Sequence, residues 1–180
     1  MFIKQLLPTD SAVKLIQPKI VRDAPLGVYW MADPHGRNTL RMMGVPDVDN
    51  SATTLAEETI RMRGFLEGNN QYNWMIEMDG RVIGTIWTDL MPTHGQQAPA
   101  LSIMLGDPTV RGGGIGYLAS LTVIEYLRSI GHTRVYSRHL IENRASAKLL
   151  QKLHFINDQE PYVDDEDGLN WQNVVFEIVP

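Results

Sequence analysis

The chain has 180 residues, 43% of them hydrophobic and 21% charged, with a net charge of −5. That is enough for one packed domain over residues 1–180. The acidic balance argues against a nucleic-acid binder, which needs basic patches to neutralise phosphates, and it mildly favours cationic small-molecule or peptide substrates. There is no cysteine, so disulfides, thiolate metal sites and a cysteine nucleophile are excluded together. The N-terminus lacks a basic start followed by a long apolar run, and no stretch approaches the roughly 20 apolar residues that span a bilayer. A cytoplasmic protein is the expectation, with no membrane partner.

Residues 13–16 read as a short strand ahead of Pro18. Residues 23–32 read as a helix with Trp30 on its buried side. Residues 34–50 are rich in Gly, Pro, Asp and Asn and read as loop. Ser51 is a candidate N-cap for a helix over 54–66, which Gly68-Asn69-Asn70 stops. Residues 72–78 and 81–90 read as strands joined by the tight-turn pair Asp79-Gly80, an antiparallel hairpin. A loop covers 91–97, and a strand over 101–105 breaks at Gly106-Asp107-Pro108. A helix then runs from 115 to 130, with Arg128 near its negative end and Gly131 as a natural terminator. Residues 134–140 read as a strand, 144–153 as a helix, and Phe155 and 171–179 as the last strands. Antiparallel strands come first and a β-α-β unit later, so the class is α+β or mixed α/β.

The segment Arg111-Gly112-Gly113-Gly114-Ile115-Gly116 joins that strand to that helix. Glycines there present bare backbone N–H groups at the positive end of the helix, a ready site for a phosphate. Three templates compete. A P-loop needs Gly-Lys-Ser/Thr, which does not occur in the sequence. A dinucleotide fingerprint matches loosely at Gly114, Gly116 and Ala119, but the acidic residue expected near Arg138 is missing. The third template is Arg-x-x-Gly-x-Gly, met at Arg111, Gly114 and Gly116, with Pro108 three residues ahead of the arginine. After the next strand comes Asn143-Arg144-Ala145-Ser146, opening a helix that closes on His154-Phe155.

Together these resemble the two signatures of the GNAT superfamily of acyl-CoA-dependent N-acyltransferases. The likeness is nearest to the ribosomal-protein N-terminal (Rim-type) branch and covers about a third of the chain in its specific parts. It implies a single GNAT-type domain, a mostly antiparallel sheet of about seven strands flanked by helices, with one pair of strands splayed apart. It implies acetyl transfer from acetyl-CoA to a primary amine, by direct attack in a ternary complex. A non-catalytic acyl-CoA-binding or sensing domain is the alternative. The expected partners are an amine acceptor, either a protein N-terminus or a small amine, and, as an open alternative, a second copy of the chain as a homodimer.

The resemblance also implies residue roles. Arg111, Gly112, Gly113, Gly114, Ile115 and Gly116 would hold the pyrophosphate of coenzyme A. Met104, Leu105 and Gly106 would end the strand beside the thioester, where a backbone N–H polarises the carbonyl. Asn143 would bond the cofactor arm, although asparagine there also suits a helix N-cap. Relatives carry a tyrosine where Leu150 stands, and Ser146 is the candidate that replaces it as proton donor to the leaving thiolate. The position near Leu101 where relatives keep a glutamate is apolar. His139 is the candidate general base, because an imidazole can take a proton near neutral pH, with Asp89 and Glu160 as rivals. The acidic run at 158–167 and the four tryptophans read first as solvated loop and core.

Overall fold

The hairpin turn sets the first register of the sheet. Asp79 and Gly80 both have positive φ, 50° and 75°, the geometry whose twist matches the strands on either side. It pairs β2 (Gln71–Met78) with β3 (Arg81–Asp89). β1 (Val13–Ile16) lies antiparallel on β2, and β4 (Ala100–Leu105) lies antiparallel on β3. β5 (Arg134–Leu140) follows β4 in parallel, and β8 (Asn170–Glu177) pairs with β5 along its whole length. The short β6 (Ile156–Asn157) and β7 (Tyr162–Val163) both pair with β8 and complete an eight-stranded sheet. The computed structural model describes residues 13–32, 34–45, 53–93 and 95–178.

Helices cover both faces. α4 (Ile115–Ser129) and α5 (Arg144–Lys152) pack through Val123, Leu127, Leu150 and Leu153 onto the face carrying Ile86, Leu101 and Val135. α1 (Ile20–Met31), α2 (Pro34–Met42) and α3 (Leu55–Glu67) gather on the other face, where Trp30 and Met31 meet Met75 and Met104. Two carboxylates are buried in that layer, Asp23 and Glu58, and each is paired with an arginine of its own helix, Arg22 and Arg61.

Two expectations change. The segment expected as loop at 34–50 carries α2 over its first nine residues. Pro34 opens the helix, where its missing N–H costs nothing. Gly36 sits where a Cβ would collide with the Trp30 carbonyl. Leu40 and Met43 reach the second core cluster, so tertiary burial overrides poor propensity. The helix expected at 23–32 begins earlier, at Ile20, and absorbs Pro25 in its interior. The cap of α3 is Thr54, whose hydroxyl accepts from the Glu57 N–H while the Glu57 carboxylate accepts from the Thr54 N–H. Ser51, the expected cap, lies outside the described residues. Leu127 is wholly buried in the main core. Leu127→Ala is expected to cost about 2–5 kcal/mol, measured by chemical denaturation.

Candidate functional site

β4 and β5 stay together for only one residue pair. Ala100 pairs with Tyr136, the Tyr136 N–H donates to the Pro99 carbonyl at 2.8 Å, and Ser137 Oγ donates to the Leu101 carbonyl at 2.8 Å. Beyond that point the strands part, because β4 keeps its register on β3 and β5 keeps its register on β8. The carbonyls of Pro99 and Leu101 face β5. Strand alternation therefore turns the N–H and C=O of Ile103 and Leu105 into the gap. The gap is a cleft of about 650 Å³, within the range of small-molecule sites.

The glycine loop lies at the mouth of this cleft. Gly112 and Gly114 have φ of 80° and 82°, a region that only glycine enters without strain. Open space lies in front of both. Gly114 is the N-cap of α4 and offers no side chain, and the first helical bond is Leu118 N–H to the Gly114 carbonyl. The N–H groups of Ile115, Gly116 and Tyr117 therefore have no intrahelical partner. Ile115 is buried and pins the helix start in the core. A Cβ at Gly113 would lie 3.5 Å from the Val110 carbonyl, and one at Gly116 would make ordinary contacts with Leu149 and Ile103. Asp107 braces the preceding turn. It accepts from the Thr109 hydroxyl and N–H, which hold its carboxyl below the usual carboxylate range. The depressed value means this brace is in place at neutral pH and fades only as pH falls through it.

Arg111 turns back onto the sheet. Its Nη2 donates to the Leu105 carbonyl at 2.8 Å and to Thr39 Oγ1 at 3.0 Å, and its Nε also reaches the Leu105 carbonyl, at 3.2 Å. Asn143 caps α5 by accepting the Ser146 N–H at 3.1 Å, and its Nδ2 donates to the Met42 carbonyl at 3.0 Å. α2 is thus tied to both walls of the cleft. Ser146 lines the cleft with its hydroxyl bonded to none of the described residues. Leu150 is buried and also lines the cleft. His154 has φ of 65°, so it enters the left-handed region that ends α5.

His139 lines the cleft and directs Nδ1 to the Leu140 carbonyl at 2.9 Å. With the proton on Nδ1, Nε2 is left as an acceptor. Asp89 also lines the cleft and accepts a hydrogen bond from the Gln71 amide. Glu160 is exposed and is not part of the cleft wall. Met104 contributes its side chain, while the Gly106 N–H is bonded to the Ile83 carbonyl at 3.0 Å and points away from the gap.

Several contributors were not singled out from the sequence. Ile103 supplies the middle of the open edge. Ser120 is buried with an unpartnered hydroxyl, while Thr122 and Ser129 of the same helix bond back to helix carbonyls. Trp87 and Trp171, read as core, form cleft walls, and Arg138 stacks 3.8 Å from the Trp171 ring centre. Asp164, read as part of a solvated run, is buried and accepts from Arg138 at 2.8 Å. A period-2 strand reading would have flagged Arg138 and Ser137 as facing opposite sides of the sheet, but not as bordering a gap. Gly114→Ala is expected to destabilise the fold by about 1–2 kcal/mol despite the open space before it, because the penalty lies in the backbone; thermal denaturation measures it.

A family model described as an acetyltransferase (GNAT) domain matches residues 14–156. The sequence comparison with curated proteins gives no match. Among solved structures the chain is similar to a RimL ribosomal alpha-N-protein acetyltransferase in complex with coenzyme A. The TM-score is 0.77 at 14% identity, covering 97% of this chain and 98% of that one. It is similar to the Salmonella typhimurium acetyl transferase that modifies the N-terminal serine of a 50S ribosomal subunit protein, with TM-score 0.76 at 14% identity over 96% and 98% of the two chains. It is also similar to an aminoglycoside acetyltransferase in complex with coenzyme A, with TM-score 0.71 at 16% identity over 92% and 94%. At these identities the likeness is one of fold. With a family model spanning most of its length, the chain belongs to the GNAT acetyltransferase domain family, the acetyl-CoA-dependent N-acetyltransferases.

Proposed function

We propose that the cleft between β4 and β5 transfers an acetyl group from acetyl-CoA to a primary amine by direct attack in a ternary complex. The single observation that carries this is the coincidence of two unmet hydrogen-bonding surfaces. One is the set of free N–H groups at the start of α4; the other is the open backbone edge at Ile103 and the Leu105 N–H, the Leu105 carbonyl being held by Arg111. The first suits a diphosphate. The second suits an extended amide-bearing arm, which pairs with a strand edge as another strand would.

In this reading Gly112, Gly113, Gly114, Ile115 and Gly116 hold the diphosphate through backbone N–H groups, and Arg111 adds charge at the same mouth. Asn143 and the strand end at Met104, Leu105 and Gly106 border the arm. An N–H of the β4 edge polarises the thioester carbonyl; losing such a donor costs about 3 kcal/mol of transition-state stabilisation. His139 removes the proton of the arriving ammonium through Nε2, since an amine must be neutral to attack. The amine nitrogen bonds to the carbonyl carbon, the carbon–sulfur bond breaks, and Ser146 passes its hydroxyl proton to the departing sulfur while taking up the second proton that the nitrogen sheds as it becomes an amide. With no cysteine in the chain, a cysteine acyl-enzyme is outside this scheme. No observation favours a non-catalytic binding domain over it.

The acceptor is a protein N-terminus or a small amine, and the setting we propose is the cytoplasm. The net charge of −5 speaks against nucleic acid as a partner. No described helix is long and apolar enough to cross a membrane. A second copy of the chain is the one further partner kept in this reading.

Thermal denaturation with acetyl-CoA, CoA, NAD and ATP tests the cofactor. A ligand at 100 times its Kd adds about 2.7 kcal/mol, so a clear rise is expected with the CoA species alone, and Gly114→Val is expected to abolish it. A rise with NAD or ATP instead would overturn the reading. Initial rates of CoA release across pH test the base. His139→Asn is expected to remove the acid limb of the kcat/KM profile; an unaltered profile would exclude His139.

A further inference from the structure

The loop between β3 and β4 reaches across the sheet. It leaves β3 at Asp89 and enters β4 at Ala100. Between them Thr93 and Gln96 exchange backbone hydrogen bonds. The Gln96 N–H donates to the Thr93 carbonyl at 2.8 Å, and the Thr93 N–H donates to the Gln96 carbonyl at 3.1 Å. The Gly95 carbonyl accepts from Asn173 Nδ2 at 3.0 Å. Asn173 pairs with Arg138 across β8 and β5, and residues paired in this way share a face. β5 lies between β4 and β8 in the sheet, so the loop passes over β5 on the face that carries Arg138. Alternation puts Ser137 and His139 on the other face, under α4 and α5. The loop is thus held at both ends and in the middle, and it borders the cleft through Thr93 and Gln96.

Gln96 is the group this loop presents. The residue is 7% exposed. Its backbone N–H and C=O are both taken by Thr93, and its side-chain amide bonds to none of the described residues. Unlike the sealed hydroxyls of Thr88 and Ser120, that amide has an opening, and the opening is the cleft. A glutamine amide offers an acceptor oxygen and two N–H donors. Ser102, paired with Trp87 on the same face, adds a hydroxyl that also bonds to none of the described residues. The ionised groups of this wall already have partners, Arg138 in buried Asp164 and Asp89 in the Gln71 amide. What this face leaves open is therefore neutral, and it donates as well as accepts.

We propose that Gln96 selects the acceptor, and that the acceptor is an amine carrying a neutral amide beside the reacting nitrogen. Gln96 Nε2 donates to the carbonyl of that amide, and Gln96 Oε1 or the Ser102 hydroxyl accepts from its N–H. An alkylamine filling the same space would displace water from the Gln96 amide and return no hydrogen bond. Sites with a buried polar group of this kind reject the analogue that lacks its partner. The inference rests on the acyl-transfer reading above and goes beyond it in naming the residue and the group it reads.

Three acceptors of similar length test this: an amino acid amide, its methyl ester, and the corresponding alkylamine. The ester keeps the carbonyl and loses the N–H; the alkylamine loses both. Initial rates of CoA release are compared at equal concentrations of unprotonated amine, since only that form attacks. The expected order is amide, ester, alkylamine, with kcat/KM falling about tenfold or more from first to last, carried by KM. Gln96→Met keeps the length, removes the amide, and is expected to bring the three values close together. Its thermal midpoint is expected to match that of the parent, because backbone bonds and Asn173 hold the loop. Gln96→Asn keeps the amide one methylene short and is expected to retain an intermediate ratio. An alkylamine used as well as the amide, or a ratio unmoved in Gln96→Met, would overturn the assignment. So would the absence of CoA release with the amide. Calorimetry with CoA then separates the two levels: binding leaves the acyl-transfer reading standing, and no binding overturns that reading with it.

Discussion

A parallel strand pair held for one residue and then forced apart is the constraint on which the rest of this molecule depends. β4 is committed to β3 and β5 to β8, and the Ser137 hydroxyl closes the junction by taking the Leu101 carbonyl. Past that bond two half-sheets twist away from each other. The backbone groups of Ile103 and Leu105 are left facing a gap inside the protein. Arg111 holds the Leu105 carbonyl, and the remaining groups of this edge are open to water or to an extended partner. The same gap opens the sheet from one face to the other.

The helix that follows meets the second requirement. α4 starts on a left-handed glycine with no capping side chain, so its positive end is bare, and the partial charge of the helix is concentrated where an anion fits. α2 links this end to the other side of the cleft. Thr39 accepts from Arg111 in the glycine loop, and the Met42 carbonyl accepts from Asn143 at the head of α5. Two residues that the sequence assigns to the cofactor thus hold a helix of the opposite layer. A ligand that displaced either one would change the footing of α2.

Much of the fold was legible because its signals are local. Asp79-Gly80 dictates a hairpin by its own φ preferences, and the glycines at 112–116 stand between an apolar strand run and a helical period. The capping of α5 by Asn143 follows from side-chain reach alone. What was not legible depends on contacts far along the chain. α2 forms from a sequence poor in helix formers because Leu40 and Met43 find the core around Trp30 and Met104. Asp164 looks like one more acid in a solvated run until Arg138 is brought beside it by the pairing of β5 with β8. Which backbone groups of β4 face the gap follows from register, and register depends on its neighbours on both sides. The base was hard to read because no single residue is placed by pattern. His139 and Asp89 sit on different faces of the same opening, and only the split in the sheet gives them a common space.

The missing tyrosine bears on the chemistry in a way the cleft makes concrete. Leu150 is packed into the core, so that position provides no proton. The hydroxyls that remain along the cleft are not equivalent. Ser137 already donates to the Leu101 carbonyl, and Thr39 accepts from Arg111 and itself donates to the His35 carbonyl at 2.9 Å. Ser102 belongs to the face of Trp87 and Arg138, across the sheet from α5. Ser120 also lines the cleft, but its hydroxyl is sealed from solvent. Ser146 sits in the first turn of α5, has its own N–H held by Asn143, and remains half-exposed to the cleft. Under direct acyl transfer the departing sulfur needs a donor that can be reprotonated, and Ser146 meets that requirement while the others are engaged, sealed or on the wrong face.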